Sequence, residues 1–529
     1  MPRPSLLPFG EGLGEGSHIS NTMKKPTLLL LLLFTATLAR AQQRQQPNII
    51  FFLVDDMGWQ DTSLPFWEKP TPANSKFHTP NMERLARQGV KFTNAYAASI
   101  CTPSRVSLMT GMNAAHHRVT NWTSVKNQRT DHLDDDQLQP PQWNMNGLSP
   151  TPDMPHSVHA TTLPELLTKA GYYTILSGKA HFSVYDTPGA NPLNLGFQKN
   201  IGGSAIGNPA SFLSEQEYGN LRHEQKAVQG LKPYWHTGTF LTDALTTEAL
   251  KAMDTAQIRR QPFFLYMAHY AVHLPFDPDQ RYINKYLQAG LAKPEAAYAA
   301  LVEGMDASLG RLLDYLEERK LTDNTIVVFM SDNGGLTREP RSGTIDTQNY
   351  PLRAGKGSLY EGGVREPMLV RWPGVTRPGT VNSQYVIIED FFPTLLEMAG
   401  VTDYKTLQQV DGQSMVPYLK HPGKRDNKRP LIWHYPDKWY PGPAGVTSYV
   451  SAVRQGDWKL LYFAKPGRLE LYNLKNDIGE QHDLAADNPK KTRQLAQLLT
   501  QRLKGWNAQL PLYKSTGQPV PYPDEVAGK

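Results

Sequence analysis

The chain has 529 residues, of which 39% are hydrophobic and 20% are charged, and its formal net charge is +6 at pH 7. This composition excludes a largely disordered chain, because there is enough apolar material to bury and no excess of charge that would oppose collapse. The length predicts two or more packed units, and the small, dispersed charge surplus argues against nucleic acid or an anionic membrane surface as a partner.

The first residues form a pattern that is typical of exported proteins. A Met-Lys-Lys sequence at 23–25 precedes an apolar run at 27–39 and the small-x-small sequence Ala-Arg-Ala at 39–41, as in a signal peptide. We predict that residues 1–41 are leader and signal peptide, cut after Ala41, and that the mature protein is periplasmic or secreted. The run is shorter than the about 20 residues that cross a bilayer, so we expect no membrane insertion. Residues 1–22 fit no export pattern, and Met23 is an alternative start.

Apolar runs of strand length alternate with amphipathic segments over the next several hundred residues. Runs without polar interruption predict strands buried on both faces, at 48–54, 173–176, 262–267 and 325–330. Apolar residues at helical spacing predict helices at 81–88, 162–170 and 298–319. This alternation predicts an α/β domain with a mostly parallel central sheet flanked by helices.

Two segments interrupt the alternation. Residues 131–157 are rich in Pro, Asn and Asp and predict a long surface insertion, and the polar stretch 421–430 predicts a linker. Beyond it, a small antiparallel sheet with a terminal helix is predicted from strands at 431–434, 449–454, 459–463 and 469–473 and a helix at 489–506. We therefore predict a large domain over 42–425 and a C-terminal α+β subdomain over 426–529.

Polar residues follow the predicted strands where an open parallel sheet binds its ligands, beyond the carboxyl ends. Asp55 and Asp56 follow the first strand, and Asp332 and Asn333 follow the strand at 325–330. Taken singly, each pair is better interpreted as solvated turn residues. Taken together, three carboxylates and an amide oxygen would repel one another without a cation, and such hard oxygen donors favour calcium or magnesium over zinc.

Cationic residues near the same strand ends indicate what the metal acts on. A positive pocket would enclose an oxyanion such as sulfate or phosphate, and its candidates are Arg105, Lys179, His181, His273 and Lys356. By itself Lys356 is weak support, since exposed lysines in Gly-rich loops are common. His269 is the alternative to His273.

Cys101 is the single cysteine of the chain, and it precedes a helix predicted to start near Pro103. Proline is favoured in a first turn, Thr102 would cap the helix, and the free amides favour an anion at Cys101. The same field predicts a lowered pKa for the thiol. Cys101 stands where a nucleophile belongs, and the local pattern leaves open a thiolate, a modified side chain and a small buried hydrophobe.

The sequence Cys-Thr-Pro-Ser-Arg at 101–105, continued by Leu108, Thr110 and Gly111, resembles the signature of the type I sulfatases of the alkaline phosphatase superfamily. That signature is read by maturation enzymes that oxidise the cysteine to Cα-formylglycine. The similarity extends from Pro47-Asn48 to Leu471-Tyr472-Asn473-Leu474 and Glu480, nearly the whole chain after the signal peptide. We therefore expect a carbohydrate sulfatase of bacterial type.

The resemblance also implies a cofactor and residue roles. One Ca²⁺ would be held by Asp55, Asp56, Asp332, Asn333 and the modified Cys101. Calcium, Lys179 and Lys356 would hold the sulfate oxygens, and calcium with Arg105 would favour loss of a proton from one hydroxyl of the hydrated aldehyde. His273 would protonate the departing sugar oxygen, and His181 would accept a proton when sulfate is expelled. Val272 stands where many members have Pro, which loosens the assignment of His273.

The expected activity is hydrolysis of sulfate monoesters, with O-sulfated saccharides of a polysaccharide or glycosaminoglycan as the favoured substrates. Candidate substrate-binding residues are His116, Arg338 and His434, although each taken singly is more often structural. One alternative is a phosphate or phosphonate ester hydrolase of the same superfamily. An alternative of another class is an inactive glycan-binding protein in which Cys101 is unmodified.

Overall fold

The structure is a computed structural model, and it describes residues 46–337, 349–438 and 448–528. Its strands are β1 (Asn48–Val54), β2 (Val90–Tyr96), β3 (Leu138–Gln139), β4 (Leu148–Ser149), β5 (Val158–His159), β6 (Tyr173–Gly178), β7 (Lys199–Ile201), β8 (Phe263–Ala268), β9 (Thr325–Ser331), β10 (Arg365–Arg371), β11 (Thr380–Asn382), β12 (Val386–Ile387), β13 (Pro430–Tyr435), β14 (Val450–Gln455), β15 (Trp458–Phe463), β16 (Arg468–Asn473) and β17 (Leu512–Tyr513). Its α-helices are Pro72–Lys76, Pro80–Gln88, Cys101–Thr110, Ala114–His117, Leu163–Lys169, Leu241–Ile258, Ile283–Gln288, Lys293–Glu318, Glu361–Val364, Phe391–Met398, Val416–Lys420, Pro489–Gly505 and Pro523–Ala527.

The main sheet is mostly parallel. In the described part of the chain its strand order is β11-β2-β10-β9-β1-β8-β6-β7, and β12 also pairs with β2. β10 runs antiparallel to β2 and β9, and the other neighbouring strands are parallel. β1 lies between β8 and β9, with Phe52 opposite Met267 on one side and Phe329 on the other. The predicted parallel sheet is confirmed.

Both faces of the main sheet are covered, which explains why β1 is buried at every position. Successive side chains of a strand point to opposite faces. Alternate residues of β1 starting with Ile50 lie in one core cluster with residues of the helix Lys293–Glu318. Those starting with Ile49 lie in a second cluster with residues of the helix Phe391–Met398.

Most predicted elements agree with the structure to within two residues at each end. The predicted helix at 298–319 is an exception, because it begins at Lys293, with Pro294 in its first turn. β2 and β10 were not predicted, because charged residues such as Lys91, Arg365 and Glu366 interrupt their apolar runs. In the structure Arg365 pairs with Glu361 and donates to the Thr93 carbonyl, Lys91 donates to the Pro65 carbonyl, and Glu366 is buried.

The prediction of a surface insertion over 131–157 is wrong for the middle of that segment. Trp143, Met145 and Leu148 are buried in the second core cluster, and β3 pairs with β17 near the end of the chain. A composition rich in Pro and Asn predicts irregular backbone correctly, but it does not exclude that the few apolar side chains of such a segment fill the core.

The C-terminal part contains the predicted antiparallel sheet, in the order β13-β14-β15-β16. One face packs against the helix Pro489–Gly505, whose Leu495, Leu499 and Leu503 recur at helical spacing in a cluster with Leu460. The other face carries Trp433, which clusters with Tyr96 of the main sheet. The fold class, an α/β domain with a small antiparallel sheet and terminal helix, is confirmed.

Residues from Gln46 onward form one compact unit, and the boundary at 425/426 stays a prediction. The signal peptide lies outside the described residues. None of the helices that the structure describes has both the length and the apolar character required to cross a bilayer.

Candidate active site

The carboxyl ends of four strands bring the predicted residues together. Asp55 and Asp56 follow β1, Asp332 and Asn333 follow β9, Lys179 and His181 follow β6, and His273 lies beyond β8. Two hydrogen bonds join the acidic pairs: the Asp56 backbone N–H donates to Asp332 Oδ1 at 3.2 Å, and Asn333 Nδ2 donates to Asp56 Oδ1 at 2.8 Å. Neighbouring parallel strands end at the same edge of the sheet, which is why residues some 280 positions apart meet here.

Gly178 allows the chain to turn at the end of β6. Its φ is +101°, and a Cβ at this position would lie 2.0 Å from the carbonyl oxygen of Ala268. Only glycine adopts this conformation without a clash. The turn places Lys179 so that its backbone N–H donates to that same carbonyl and its side chain enters the site.

Each carboxylate of the site is paired with a cation. Lys179 Nζ lies 2.7 Å from Asp55 Oδ2, Lys356 Nζ lies 2.7 Å from Asp56 Oδ1, and Arg105 Nε donates to Asp332 Oδ2 at 2.8 Å. These pairs are buried, and buried charges persist in proteins when they are paired and hydrogen-bonded. Lys356 and His273 keep 9% and 14% of their side chains exposed, so the site opens to solvent beside them.

Cys101 is the first residue of the helix Cys101–Thr110. Its Sγ lies 3.9 Å from Asp56 Oδ1, and Arg105 follows one helical turn later on the same face. The helix starts two residues before Pro103, which lies in its first turn as predicted, but the prediction of Thr102 as the cap is wrong, because Ile100 precedes the helix without a side-chain cap. Thr102 Oγ1 instead accepts a hydrogen bond from the Thr123 N–H and lies 3.3 Å from His181 Nε2.

The predicted lowering of the thiol pKa is also wrong. Burial raises the pKa of Cys101 to about 12, and the opposing charges of Lys179 and Lys356 do not compensate for it. Burial disfavours the charged form of a thiol. Without a bound cation, burial therefore favours the neutral thiol of an unmodified Cys101.

The two histidines are held by backbone carbonyls. His181 Nε2 lies 2.9 Å from the Thr123 carbonyl oxygen, and His273 Nδ1 lies 3.2 Å from that of Leu274. Burial lowers the pKa of both imidazoles well below the usual value. His273 Nε2 lies 3.4 Å from Asp56 Oδ2, whereas the alternative, His269, is bonded to Ser308 Oγ. The geometry favours His273 over His269.

The acidic residues show the features of a cation site. Asp55 Oδ1 and Asn333 Oδ1 are buried and have no hydrogen-bond partner among the described residues. Ligand atoms of Asp55, Cys101 and Asp332 lie within 4.8 Å of one another, as do those of Asp56, Cys101 and His273. Burial raises the pKa of Asp55 to about 7, although Lys179 opposes the shift. Unpartnered buried oxygens on hard donors fit a cation of the calcium or magnesium type.

Two of the predicted substrate-binding residues, His434 and His116, are described by the structure, and their hydrogen-bond partners lie outside this cluster. His434 is buried, and its ring nitrogens are bonded to Ser451 Oγ and to the Gln509 carbonyl, each at 2.8 Å. That placement contradicts a contact with substrate, because both nitrogens are used within the protein. His116 is bonded to Asp411 at 2.9 Å, and its substrate role stays a prediction. Arg338 lies outside the described residues.

Sequence reasoning missed Thr123, whose backbone carbonyl orients His181. A backbone oxygen leaves no signal in the residue types. The sequence offered one indication of its role, which is that Thr123 follows soon after the signature helix in the chain.

The site lies at the edge of a mostly parallel sheet and combines three paired carboxylates, a buried cysteine at a helix start and two oriented imidazoles. It defines a protein of the α/β class with a site for a cation and an anionic group. The Sulfatase profile matches residues 47–401, and the profile described as N-sulphoglucosamine sulphohydrolase, C-terminal, matches residues 355–509. The chain belongs to the sulfatase family and is an enzyme that hydrolyses sulfate esters.

Individual proteins agree with this assignment. The chain is 31% identical to a Sulfatase of Formosa agariphila over 577 residues, which cover 97% of this chain and 99% of the relative. It is 32% identical to N-acetylgalactosamine-6-sulfatase of Mus musculus over 426 residues, 77% of this chain and 72% of the relative. The crystal structure of Ps i-CgsB is similar with a TM-score of 0.69 and 27% identity, covering 88% of this chain and 94% of that one.

Proposed function

We propose that the protein removes sulfate from O-sulfated saccharides, with Cys101 oxidised to formylglycine and one Ca²⁺ at the acidic cluster. The observation that carries this proposal is the geometry around Cys101, where paired carboxylates and cations enclose the first residue of a helix. The similarity to N-acetylgalactosamine-6-sulfatase supports a saccharide substrate. A structure of Ps i-CgsB in complex with k-i-k-neocarrahexaose supports it as well.

The residues that would hold Ca²⁺ are Asp55, Asp56, Asp332, Asn333 and residue 101. When bound, the ion would neutralise negative charge on the sulfate oxygens and favour an ionised oxygen on residue 101. Hydration of a formylglycine aldehyde supplies two hydroxyl groups on one carbon, one for attack on sulfur and one whose deprotonation expels sulfate. A serine at this position would lack the second hydroxyl.

The cations of the site would bind the sulfate group. Three cations are held near Cys101 because they pair with the carboxylates of the site: Lys179, Lys356 and Arg105. The oxygens of a bound sulfate would accept further hydrogen bonds from their ammonium and guanidinium groups. Groups held in place before the reaction stabilise developing charge without reorganisation. Exposure at Lys356 and His273 is consistent with entry of the ester from that side.

The hydrogen bonds of the two histidines indicate which nitrogen handles the proton. A carbonyl can only accept, so His181 Nε2 carries a hydrogen for Thr123, and Nδ1, which lies 3.4 Å from Thr102 Oγ1, is the nitrogen that would accept a proton. His273 Nδ1 donates to Leu274 in the same way. Its Nε2, near Asp56, would have to take up a second proton before passing it to the departing sugar oxygen; Asp56 favours that protonation and burial opposes it.

The maturation enzyme is the second partner that we propose. Residues 101–105 are all buried in the folded protein, so an enzyme that oxidises Cys101 would need the signature in an unfolded chain. Export is the proposed location, either to the periplasm or to the medium, and N-terminal sequencing of protein from its native host should begin at Gln42.

A substrate screen tests the proposal. Matured enzyme should release sulfate from at least one defined sulfated mono- or disaccharide, whereas Cys101→Ala should release none. Mass spectrometry of the Cys101 peptide should show the aldehyde. Faster turnover of nitrophenyl phosphate or phenylphosphonate esters than of nitrophenyl sulfate would favour the alternative hydrolase, and an unmodified thiol with saccharide binding but no turnover would favour the glycan-binding alternative.

A further inference from the structure

A cavity of about 870 Å³ is lined by residues that neighbour the two histidines of the site. One wall contains Asn208, Pro209 and Ala210, and the other contains Leu274, Pro275 and Phe276. Its volume is within the range of about 300–1,000 Å³ that is common for small-molecule sites. The catalytic roles proposed above do not use it.

The first wall continues directly from His181. The His181 backbone N–H donates to the Ser204 carbonyl at 3.0 Å. A side-chain carbon at Gly207 would lie 2.9 Å from His181 Cε1, so the backbone of Gly207 lies against the imidazole ring. Asn208, the next residue, already lines the cavity.

The second wall continues directly from His273, since Leu274 and Pro275 follow it in the chain. Phe276 packs edge-on against Tyr298 with ring centroids 5.4 Å apart. The walls are tied together by Asp277, whose Oδ2 accepts hydrogen bonds from Ser211 Oγ and the Phe212 N–H, each at 2.7 Å. The cavity thus adjoins His273, the residue proposed to protonate the departing sugar oxygen, and it is already formed without a ligand.

Lys226 supplies a cation to this extension. Its Nζ donates to Asn208 Oδ1 at 2.8 Å, and its carbonyl accepts from the Ala210 N–H at 2.9 Å, so it is fixed to the first wall at two points. Lys226 forms no ion pair with a carboxylate of the described residues. The cavity is also lined by Lys293 and Glu224, which leaves a net positive lining. Partial burial and, after it, the charge of Lys179 lower the pKa of Lys226.

We propose that this cavity is a subsite for the sugar next to the one that loses its sulfate, and that Lys226 binds an anionic group, a sulfate or a carboxylate, on that neighbouring sugar. The inference rests on the proposed saccharide function. The ring would lie along Leu274, Pro275 and Phe276, and Lys226 would exchange its neutral amide partner for a charged oxygen. A hydrogen bond to a charged group is about twice as strong as a neutral one.

The test compares Lys226→Ala with wild type on 4-nitrophenyl sulfate and on disaccharides of carrageenan, chondroitin sulfate and heparin that carry one or two anionic groups. For the doubly anionic disaccharides that wild type hydrolyses, we expect KM to rise about tenfold, corresponding to about 1.4 kcal/mol. The factor by which kcat/KM falls on these disaccharides should be about tenfold larger than the factor by which kcat/KM falls on 4-nitrophenyl sulfate. Lys226→Arg should restore most of the affinity, and the KM difference should shrink in high salt.

Lys232→Ala is the matched control, because Lys232 is an exposed lysine outside the cavity lining. The inference is overturned if Lys226→Ala leaves KM within twofold of wild type for every hydrolysed saccharide, or if it lowers turnover of 4-nitrophenyl sulfate by the same factor. Hydrolysis of 4-nitrophenyl sulfate without hydrolysis of any saccharide would instead reject the proposed saccharide function, and the subsite with it.

Discussion

Near Cys101, two side-chain oxygen atoms without hydrogen bonds among the described residues make the site suitable for a cation. Asp55 uses Oδ2 for Lys179 and leaves Oδ1 without a hydrogen bond, while Asn333 uses Nδ2 for Asp56 and leaves its Oδ1 unbonded. A buried acceptor without a partner costs about 1–3 kcal/mol. A bound cation would recover that free energy. Cation binding can therefore be measured as an increase in the stability of the folded protein.

Calcium should therefore stabilise the protein, and Asn333→Ala should weaken that effect. We expect CaCl2 to raise the melting temperature of chelator-treated wild type. Asn333→Ala should require about tenfold more Ca²⁺ for the same shift, because it loses one ligand oxygen. Scanning fluorimetry over a CaCl2 titration measures both, independently of activity. Asn194→Ala, at an exposed position, is the control, and an equal shift in all three proteins would contradict a ligand role for Asn333.

His434 contributes to the stability of the protein, and we expect this contribution to the free energy of unfolding to depend on pH. Burial lowers its pKa to about 4, below the usual 6.5 of the unfolded chain. Between these values the unfolded chain binds a proton that the folded protein does not. The stabilising contribution is therefore complete above pH about 6.5 and is lost as the pH falls toward 4, by up to about 3 kcal/mol.

Urea midpoints measured from pH 7 to pH 4.5 test this dependence. His434→Gln should flatten the fall in the free energy of unfolding over this window, because glutamine can bond to Ser451 and Gln509 but does not titrate. Exchange of the exposed His421 for Gln should leave the slope as in wild type. Identical slopes in all three proteins would show that His434 does not carry the effect.

At the scale of elements, the C-terminal sheet holds the loop that carries Lys356. Lys459 of β15 is fully buried between Glu361 and Glu480, at 2.9 and 3.0 Å. Glu480 Oε2 accepts the Glu361 backbone N–H at 2.6 Å. At the other end of the loop, the Gly357 N–H donates to the Ser99 carbonyl, two residues before Cys101. The loop is thereby fixed between the small sheet and the helix that begins at Cys101.

Lys459→Met should destabilise the protein by about 3–5 kcal/mol, since it leaves Glu480 buried without its cation. Burial already raises the pKa of Glu480 to about 7 although Lys459 opposes it. Urea unfolding measures the loss, and turnover of 4-nitrophenyl sulfate should fall as Lys356 loses its support. Lys475→Met, at an exposed lysine, is the control. Wild-type stability in Lys459→Met would show that the buried pair makes no net contribution.

At the scale of the whole molecule, the two sheets share one core cluster. Trp433 of β13 packs edge-on against Tyr96 of β2 with ring centroids 5.3 Å apart, and its Nε1 donates to the Ala97 carbonyl at 2.8 Å. Separation of the two parts would expose this cluster to water. A stable large domain without the small sheet is therefore not expected.

A chain limited to residues 42–425 should accordingly fail to fold cooperatively. We expect it to bind a hydrophobic dye and to show a broad urea transition, whereas residues 42–529 show a sharp one. The apolar surface exposed on truncation is the physical reason, at about 25 cal/mol for each Å². A sharp transition in the fragment would establish 42–425 as an independent domain and contradict the shared core.

The sequence by itself determined those features that depend on local pattern. An apolar run such as 48–54 predicts a buried strand, and the acidic pairs after two such strands are expected at one edge because parallel strands end there. That the pairs meet depends on β1 and β9 being neighbours in the sheet, which the tertiary structure decided. The signature at 101–105 identified the family for the same reason, since its residues are contiguous.

Only the tertiary structure decided which side chains share a cavity. His434 and His273 are the same residue type near strand ends, yet one is bonded to Gln509 and the other faces Asp56. The raised pKa of Cys101 and the hydrogen bond of Lys226 to Asn208 at the cavity likewise depend on burial and on contacts between distant segments. Burial is a property of the packed molecule, and no local pattern encodes it.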